Sequence, residues 1–189
     1  MSEKYKITEH EKGYFLTFTI VDWINVLEDD SYKMIVVDSM KYCQLHKSLM
    51  IYAYCIMSNH VHMIVQAGSK ITLPEILRDI KKFTANKIIA FLQNENNAYS
   101  NDILSRLEAV GKNLRRIKRY KVWQDGNRPK VIFTNKFLWQ KLDYIHNNPV
   151  KKGIVSSPEE YKFSSARNYA EMESVLDIEL LTIEMKSVR

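Results

Sequence analysis

Alternating and continuous apolar stretches along the first third of the chain predict three strands. Tyr14 to Ile20 alternates apolar and β-branched polar residues, as a half-buried strand does. Leu49 to Met57 is almost continuously apolar and short enough for a buried strand. Ser58 and Asn59 favour a turn, since both side chains readily bond local backbone, and His60 to Gln66 then returns as the second arm of a β-hairpin.

Apolar residues at helical spacing predict four longer helices. They run from Ser31 to His46, from Thr72 to Gln93, from Asp102 to Ile117, and from Thr134 to about Asn147. Thr72 and Glu75 fit a capping box at the start of the second helix. The polar, asparagine-rich stretch 94–101 predicts a loop, and a second capping box at Ser157 predicts a short C-terminal helix.

The order strand, helix, strand, strand, helix predicts the fold class. It favours an α+β fold in which helices pack against a mostly antiparallel sheet, as in a ferredoxin-like sandwich. The chain has 189 residues, of which 46% are hydrophobic, which is enough for one compact core. No internal repeat or linker is evident, so we expect a single domain over residues 1–189.

Net charge and cysteine content narrow the class of protein. The formal net charge of +6 favours a polyanionic partner. Cys43 and Cys55 lie in apolar surroundings, which predicts buried free thiols and argues against a disulfide framework or a cysteine zinc site. No apolar stretch approaches the roughly 20 residues of a bilayer span, and the N-terminal residues do not resemble a signal peptide. We expect a cytoplasmic protein with no membrane partner.

The sequence His60-Val61-His62 is the first motif with candidate chemistry. Side chains alternate along a strand, so His60 and His62 point to the same face and can both reach a divalent cation. Imidazole suits Mn, Zn, Fe, Co or Ni better than Mg. For this motif in isolation, two polar residues on a solvated strand face are the more common explanation.

Tyr144 and Asn148 form the second motif, at the end of the last long helix. Residues four apart project from the same face of a helix, so the phenol and the amide lie together. The amide oxygen of Asn148 can serve as a third metal ligand, and Pro149 moves Asn148 towards the end of the helix. The alternative is that Tyr144 is a buried aromatic residue and Asn148 a helix cap.

These motifs resemble a known superfamily. The stretch His60 to His62 resembles the HUH motif of the HUH endonucleases, in which U is a hydrophobic residue. The stretch Leu142 to Gly153, LDYIHNNPVKKG, resembles the tyrosine-bearing segment of the single-tyrosine transposases, and of the REP-associated tyrosine transposases in particular. Residues 122–124 and 160–166 are similar to other segments of that branch. The resemblance extends from about residue 14 to residue 169, and the tyrosine segment is its most specific part.

The resemblance implies a DNA transposase that nicks and rejoins single-stranded, hairpin-bearing DNA through a covalent 5′-phosphotyrosine. It implies that Tyr144 is the nucleophile, and that His60, His62 and Asn148 hold a divalent metal, Mg or Mn, with the HUH motif on a central strand. A free tyrosine has a pKa of about 10, so the metal or a nearby base must assist its deprotonation. His146 lies on a different helix face from Tyr144 and is not expected to be that base.

Basic and aromatic residues elsewhere are predicted to contact the nucleic acid. The candidates are Arg78, Lys81, Lys82, Lys87, Arg115, Arg116, Lys118, Arg119, Tyr120, Arg128 and Lys130. Such cations bind phosphates without reading sequence, and Tyr120 can stack on an unpaired base. Members of the branch usually carry aromatic residues after Trp-Gln, whereas this chain has Arg128 and Lys130 nearby, which favours phosphate contacts in that segment. A solvated surface is the simpler explanation for the charged run 112–121.

Two other functions remain open on the sequence. One is a DNA-binding protein of the same fold whose catalysis is unused. The other is a metallohydrolase that uses His60 and His62 with a water nucleophile, which would need a carboxylate ligand that the sequence does not identify. Related transposases include monomers and dimers that share active sites. The sequence is therefore also compatible with a homodimer in which a second subunit supplies Tyr144.

Overall fold

A computed structural model describes residues 7, 9, 11–69, 71–112, 114 and 119–181. It contains a four-stranded antiparallel sheet with the strand order β2-β3-β1-β4. The strands are β1 (Tyr14–Thr19), β2 (Leu49–Ile56), β3 (His60–Ala67) and β4 (Lys130–Val131). The predicted hairpin is confirmed: the backbone N–H of Met57 donates to the carbonyl of His60 at 2.8 Å, and β3 lies inside the sheet between β2 and β1.

Six α-helices and two short 3₁₀ turns complete the described elements. The helices are α1 (Asp30–Lys47), α2 (Leu73–Glu95), α3 (Ala98–Lys112), α4 (Asn135–His146), α5 (Asn148–Lys151) and α6 (Ala166–Tyr169). The 3₁₀ turns are Val21–Trp23 and Pro158–Glu160. The predicted α+β class with a mostly antiparallel sheet is therefore confirmed, with the His-x-His motif on an interior strand.

The two faces of the sheet are covered by different helices. On one face, α1 and α2 pack against each other and against β2 and β3, and the Nζ of Lys81 on α2 lies 5.4 Å from the ring centre of Phe18 on β1. On the other face, α4 packs against β2 and β3 and brings Tyr144 close to His62. Since Thr17 pairs with His62 and neighbours Phe18 along β1, these contacts lie on opposite faces.

Two predicted boundaries are wrong, for local reasons. The predicted loop 94–101 ends early, because the side chain of Asn97 accepts a hydrogen bond from the backbone N–H of Ser100 and so caps α3. The predicted C-terminal helix is only one 3₁₀ turn: its Ser157 capping box forms, but the chain is already extended at Tyr161. The predicted end of α3 at Ile117 falls among residues outside the described part.

The segment after the second 3₁₀ turn covers the outer edge of β2. The backbone N–H of Ile56 donates to the carbonyl of Phe163, and that of Ser165 donates to the carbonyl of Tyr54, both at 2.9 Å. An edge strand satisfied in this way does not offer its backbone to other chains. Within the described part of the chain, none of the helices combines the length and apolar character of a membrane span.

Candidate functional site: a cationic cleft beside the histidine pair

The two histidines of β3 lie side by side at the floor of a cleft between the sheet and α4. Their ring centres are 4.7 Å apart. His60 is only 8% exposed and His62 only 5%. Along β1, Thr19 pairs with His60 and Thr17 with His62. The strand period therefore places both imidazoles on one face, as the sequence predicts, but in a buried setting and not on a solvated strand face.

Hydrogen bonds orient both rings through their Nδ1 atoms. The Oδ1 of Asn59 lies 2.7 Å from the Nδ1 of His60, and an amide oxygen only accepts, so this Nδ1 carries the proton. The hydroxyl of Thr17 lies 2.9 Å from the Nδ1 of His62. Such partners fix the tautomer and orientation of a ligating imidazole. The Nε2 of each ring is left for the cleft.

Burial keeps both imidazoles neutral at neutral pH. It lowers the pKa of His60 to about 4, with a further contribution from the nearby charge of Lys152, while Asn148 opposes the shift. Burial likewise lowers the pKa of His62 to about 3, and the charges of His60 and Lys141 add to the effect. A neutral imidazole with an unprotonated Nε2 is the form that binds a metal ion.

Tyr144 reaches the histidine pair from the last long helix. Its hydroxyl lies 3.5 Å from the Nε2 of His62, and the two rings meet edge to face at 5.1 Å. The ring of Phe15 also packs edge to face on Tyr144, at 6.0 Å. With 38% of its surface exposed, Tyr144 remains open to the cleft. One chain therefore brings the tyrosine and the histidines together without a second subunit.

Asn148 completes a cluster with His60, His62 and Tyr144, although it is not part of the same helix as Tyr144. α4 ends at His146, the cap residue Asn147 follows, and Asn148 begins α5 with Pro149 in its first turn. Asn148 is buried, and its Oδ1 has no hydrogen-bond partner among the described residues. It lies close enough to His60 to favour protonation of that ring, yet forms no hydrogen bond of acceptable geometry.

Burying an acceptor without a donor costs folding free energy, so the Oδ1 of Asn148, unpaired among the described residues, needs an explanation. A divalent cation would satisfy it, because two imidazole nitrogens and an amide oxygen form a suitable ligand set. Across the described ranges, no group of three or more His, Cys, Asp or Glu side chains is arranged to hold a metal. The fit of a metal here therefore depends on the Asn148 amide together with His60 and His62.

The cleft that contains this cluster is strongly cationic. It has a volume of about 450 Å³ and is lined by Phe15, Thr17, Thr19, Trp23, His60, His62, Arg128, Lys130, Lys141, Tyr144, Asn148 and Lys152. Among these lining residues four carry a positive charge and none is a carboxylate. Such a surface concentrates anions, and phosphate groups in particular.

Lys141 is a cleft residue that the sequence reasoning missed. Its Nζ lies 5.1 Å from the ring centre of Phe15 and 5.4 Å from that of Tyr144. Burial lowers the pKa of Lys141, and repulsion from Lys130 adds to the effect. A signal was available, because Lys141 precedes Tyr144 by three residues and so lies on the same helix face.

The predicted nucleic-acid contacts divide into separate groups in the structure. Arg128 and Lys130 line the cleft beside the cluster. The α2 residues Arg78, Lys82 and Lys87 are exposed, but α2 packs on the opposite face of the sheet. The structure therefore does not bring these three cations to the cleft.

Arg119 and Tyr120, which were also predicted to contact nucleic acid, are not among the described residues that line the cleft. Arg119 pairs with Glu108 at 3.3 Å and stacks on the ring of Tyr120 at 4.8 Å. Tyr120 is partly buried against the core. Arg115, Arg116 and Lys118 lie outside the described residues.

Lys81 has structural contacts in place of an exposed ammonium. Its Nζ donates at 2.9 Å to the carbonyls of Gln124 and Gly126 and to the Oδ1 of Asn127. These bonds fasten the segment 124–127 to α2, directly before Arg128. Lys81 thereby helps to place a cleft residue from the far side of the sheet.

His146 is placed where the sequence reasoning puts it, away from the tyrosine hydroxyl. The ring is buried, and its Nε2 lies 2.8 Å from the hydroxyl of Ser165. Burial lowers the pKa of His146 to about 4. Its contacts give it a role in packing α4 against the C-terminal segment.

Comparison with known proteins bears on the family to which the chain belongs. A family described as IS200-like transposases matches residues 14–120, more than half of the chain. A Haemophilus influenzae protein classed as a REP-associated tyrosine transposase is 27% identical over 113 residues, which are 60% of this chain and 56% of the relative. The chain is thus matched to only about half the length of that relative.

A solved structure shows the same fold over nearly the full chain. It is a REP-associated tyrosine transposase bound to a REP hairpin, and it superposes with a TM-score of 0.63 at 20% identity, covering 96% of this chain and 94% of the other. The likeness in sequence and the shared fold confirm the resemblance seen in the motifs. The chain belongs to the IS200-like transposase family.

Proposed function

We propose that this protein cleaves and rejoins single-stranded DNA, with Tyr144 as the nucleophile. One observation carries the proposal: the hydroxyl of Tyr144 lies 3.5 Å from the Nε2 of His62, in a cationic cleft that also contains the Asn148 Oδ1, which has no hydrogen-bond partner among the described residues. A nucleophile, a ligand set and phosphate-binding cations therefore meet at one place. This combination favours phosphoryl transfer over binding alone.

His60, His62 and Asn148 would hold a divalent metal, through the two Nε2 atoms and the amide oxygen. When bound, Mg²⁺ or Mn²⁺ supplies the positive charge that polarises a phosphate and orients it for attack. Asn59 and Thr17 hold the two rings so that both Nε2 atoms face the cleft. The protein's own contribution is this fixed orientation and a largely buried setting.

The proposed reaction exchanges one phosphate ester for another. The phenol oxygen of Tyr144 attacks the phosphorus, a tyrosine–phosphate bond forms to the 5′ side, and the bond to the 3′ oxygen breaks. The phenol proton is lost to solvent, and the leaving 3′ oxygen gains one. The ammonium of Lys141, 5.4 Å from the Tyr144 ring centre, would offset the negative charge of the phosphate under attack. Attack by the 3′ hydroxyl on the phosphotyrosine reverses the step and rejoins DNA without ATP.

The proposed substrate is single-stranded DNA with hairpin or repeat ends. The solved structure of similar fold is bound to a REP hairpin, which makes a hairpin the natural first substrate to test. Arg128, Lys130 and Lys152 line the cleft and suit phosphates next to the one that is cut.

Mass spectrometry for a covalent protein–DNA adduct tests the proposal. With hairpin-bearing oligonucleotides and Mn²⁺, the wild type should gain the mass of the 5′-linked fragment on Tyr144, and chelation of the metal should abolish the gain. Tyr144→Phe should form no adduct, whereas Tyr99→Phe, which changes an exposed tyrosine on α3, should behave as wild type.

The same experiment separates the competing functions. DNA binding by the wild type without any adduct or cut would favour a binding protein of the same fold. Cleavage that persists in Tyr144→Phe would favour a hydrolase that uses water. Either result would overturn the role proposed for Tyr144.

A further inference from the structure

Trp23 stands at the rim of the cleft with much of its ring open to solvent. It follows β1 in the first 3₁₀ turn, lines the cleft, and is 52% exposed. Its ring meets that of His60 edge to face, with the centres 6.0 Å apart at 71°. A large aromatic side chain that is neither buried in the core nor remote from the cluster needs a separate explanation.

The backbone that presents Trp23 is strained. Asp22 and Trp23 have φ angles of 50° and 54°, in the left-handed region that residues with a large side chain rarely adopt. Two such residues in succession persist only where the surroundings impose them, and such strain tends to occur at functional sites.

Asn59 links the strained turn to the histidine pair. Its Nδ2 donates to the carbonyl of Trp23 at 3.2 Å and to the Oδ1 of Asn25 at 2.8 Å, while its Oδ1 accepts from the Nδ1 of His60. The backbone N–H of Trp23 also donates to the carbonyl of Ile20 at 3.2 Å. The backbone of Trp23 is therefore held at a fixed position relative to His60, and the indole contacts the His60 ring edge to face.

We propose that Trp23 is a stacking platform for an unpaired base that flanks the phosphate bound in the cleft. An exposed indole offers a π-face on which any base can stack, and the cations of the cleft hold the adjoining phosphates. In a duplex, the faces of the bases are covered by their neighbours, so stacking on Trp23 selects single strands. The inference rests on the proposed function, because it takes the cleft to be the place where DNA phosphates bind.

Equilibrium binding to two strands of equal charge tests this role. One probe is an oligo-dT of about 12 nucleotides, a length typical of single-strand sites, and the other has the same backbone with every base removed. Binding is measured with EDTA on a Tyr144→Phe background, so no strand is cut. Trp23→Asn removes the ring but tolerates the left-handed backbone, and Trp23→Phe keeps an aromatic face.

The expected result is a loss that depends on the bases. Trp23→Asn should weaken binding of oligo-dT roughly tenfold and leave binding of the abasic strand unchanged, while Trp23→Phe should retain most of the affinity. Tyr42→Ala is the matched control, since Tyr42 is 55% exposed but lies on α1, across the sheet. Equal affinity of Trp23→Asn and the parent for oligo-dT, or equal losses on both strands, would overturn the inference.

Photocrosslinking of the unsubstituted protein gives a second measurement that does not depend on a variant folding. A bromodeoxyuridine strand should crosslink to Trp23, and a crosslink confined to other residues would contradict the proposal. The outcome is independent of catalysis. If Tyr144 forms an adduct but binding does not depend on the bases, the stacking role is wrong and the proposed function stands. If binding depends on the bases but no adduct forms, the proposed function is wrong and the stacking role stands.

Discussion

At the scale of single residues, the candidate site depends on polar atoms whose partners are few and specific. Asn59 and Thr17 each occupy the Nδ1 side of one histidine, so the Nε2 side faces the cleft, where that of His62 contacts the Tyr144 hydroxyl. Asn148 has a buried oxygen with no partner among the described residues. Such an atom calls for a partner, and a bound divalent cation would supply one.

Asn148→Ala should weaken metal binding. The substitution removes one of three proposed ligands, so the affinity for Mn²⁺, measured by calorimetric titration of the DNA-free protein, should fall about tenfold or more. Asn147→Ala is the matched control, because the Asn147 amide donates to the carbonyl of Asp143 and not into the cleft. Unchanged Mn²⁺ affinity in Asn148→Ala would remove Asn148 from the ligand set.

The two cysteines should be inert while the protein is folded. Both are free and buried, as the sequence predicts, and burial raises the pKa of Cys55 to about 12 and also raises that of Cys43. The reactive thiolate is therefore nearly absent at pH 8. A colorimetric thiol reagent should label neither cysteine at this pH until denaturant is added, after which both should react. Rapid labelling of the folded protein would contradict their burial.

At the scale of elements, the site is formed where β3, β1 and the α4–α5 junction meet. The strand period aligns the two histidines, and the helix break at Asn147 turns Asn148 towards them. The segment 124–127 adds Arg128 to the rim, and it is held from the opposite face of the sheet by Lys81. Lys81 was predicted to contact DNA, and its observed bonds give it a structural role.

Lys81→Met should loosen the segment that precedes Arg128. The backbone N–H of Thr17 donates to the carbonyl of Asn127 and reports on this segment, so its hydrogen exchange should become about tenfold faster. Lys82→Met is the matched control, because Lys82 is the exposed neighbour on the same helix, and it should leave this exchange unchanged. Equal exchange rates in the two variants would show that Lys81 does not hold the segment.

At the scale of the whole molecule, charge is distributed unevenly between the two faces of the sheet. Arg128, Lys130, Lys141 and Lys152 line the cleft, where no carboxylate stands among the described lining residues. Across the sheet, the cations of α2 are exposed or engaged in structural bonds. We therefore expect a bound strand to run along the cleft and to leave α2 largely free.

The salt dependence of DNA binding should report this distribution. For single strands, the slope of log K against log salt is about −0.7 for each phosphate neutralised, so Arg128→Gln should reduce its magnitude by roughly that amount. Lys87→Gln removes an exposed charge on α2 and should leave the slope unchanged. If Lys87→Gln reduces the slope equally, α2 contacts the DNA, as the sequence pattern predicts.

Local sequence patterns predicted much of the fold and most residues of the cluster. The hairpin, the long helices and the shared face of His60 and His62 follow from side-chain periods and turn-forming residues, which act over a few positions. Helix ends were less predictable. The Asn97 cap and the short turn after Ser157 depend on a few local hydrogen bonds that compete closely with alternatives.

Alone, the sequence determined which residues could act: two imidazoles on one strand face, and a tyrosine near an asparagine one turn later. Only the tertiary structure decided that these groups meet within one chain, 3.5 Å apart at Tyr144 and His62, and that Lys141 and Trp23 join them. It also placed the α2 cations on the far side. The physical reason is range. Side-chain periodicity acts along one element, whereas the meeting of β3 with α4 depends on how the whole core packs.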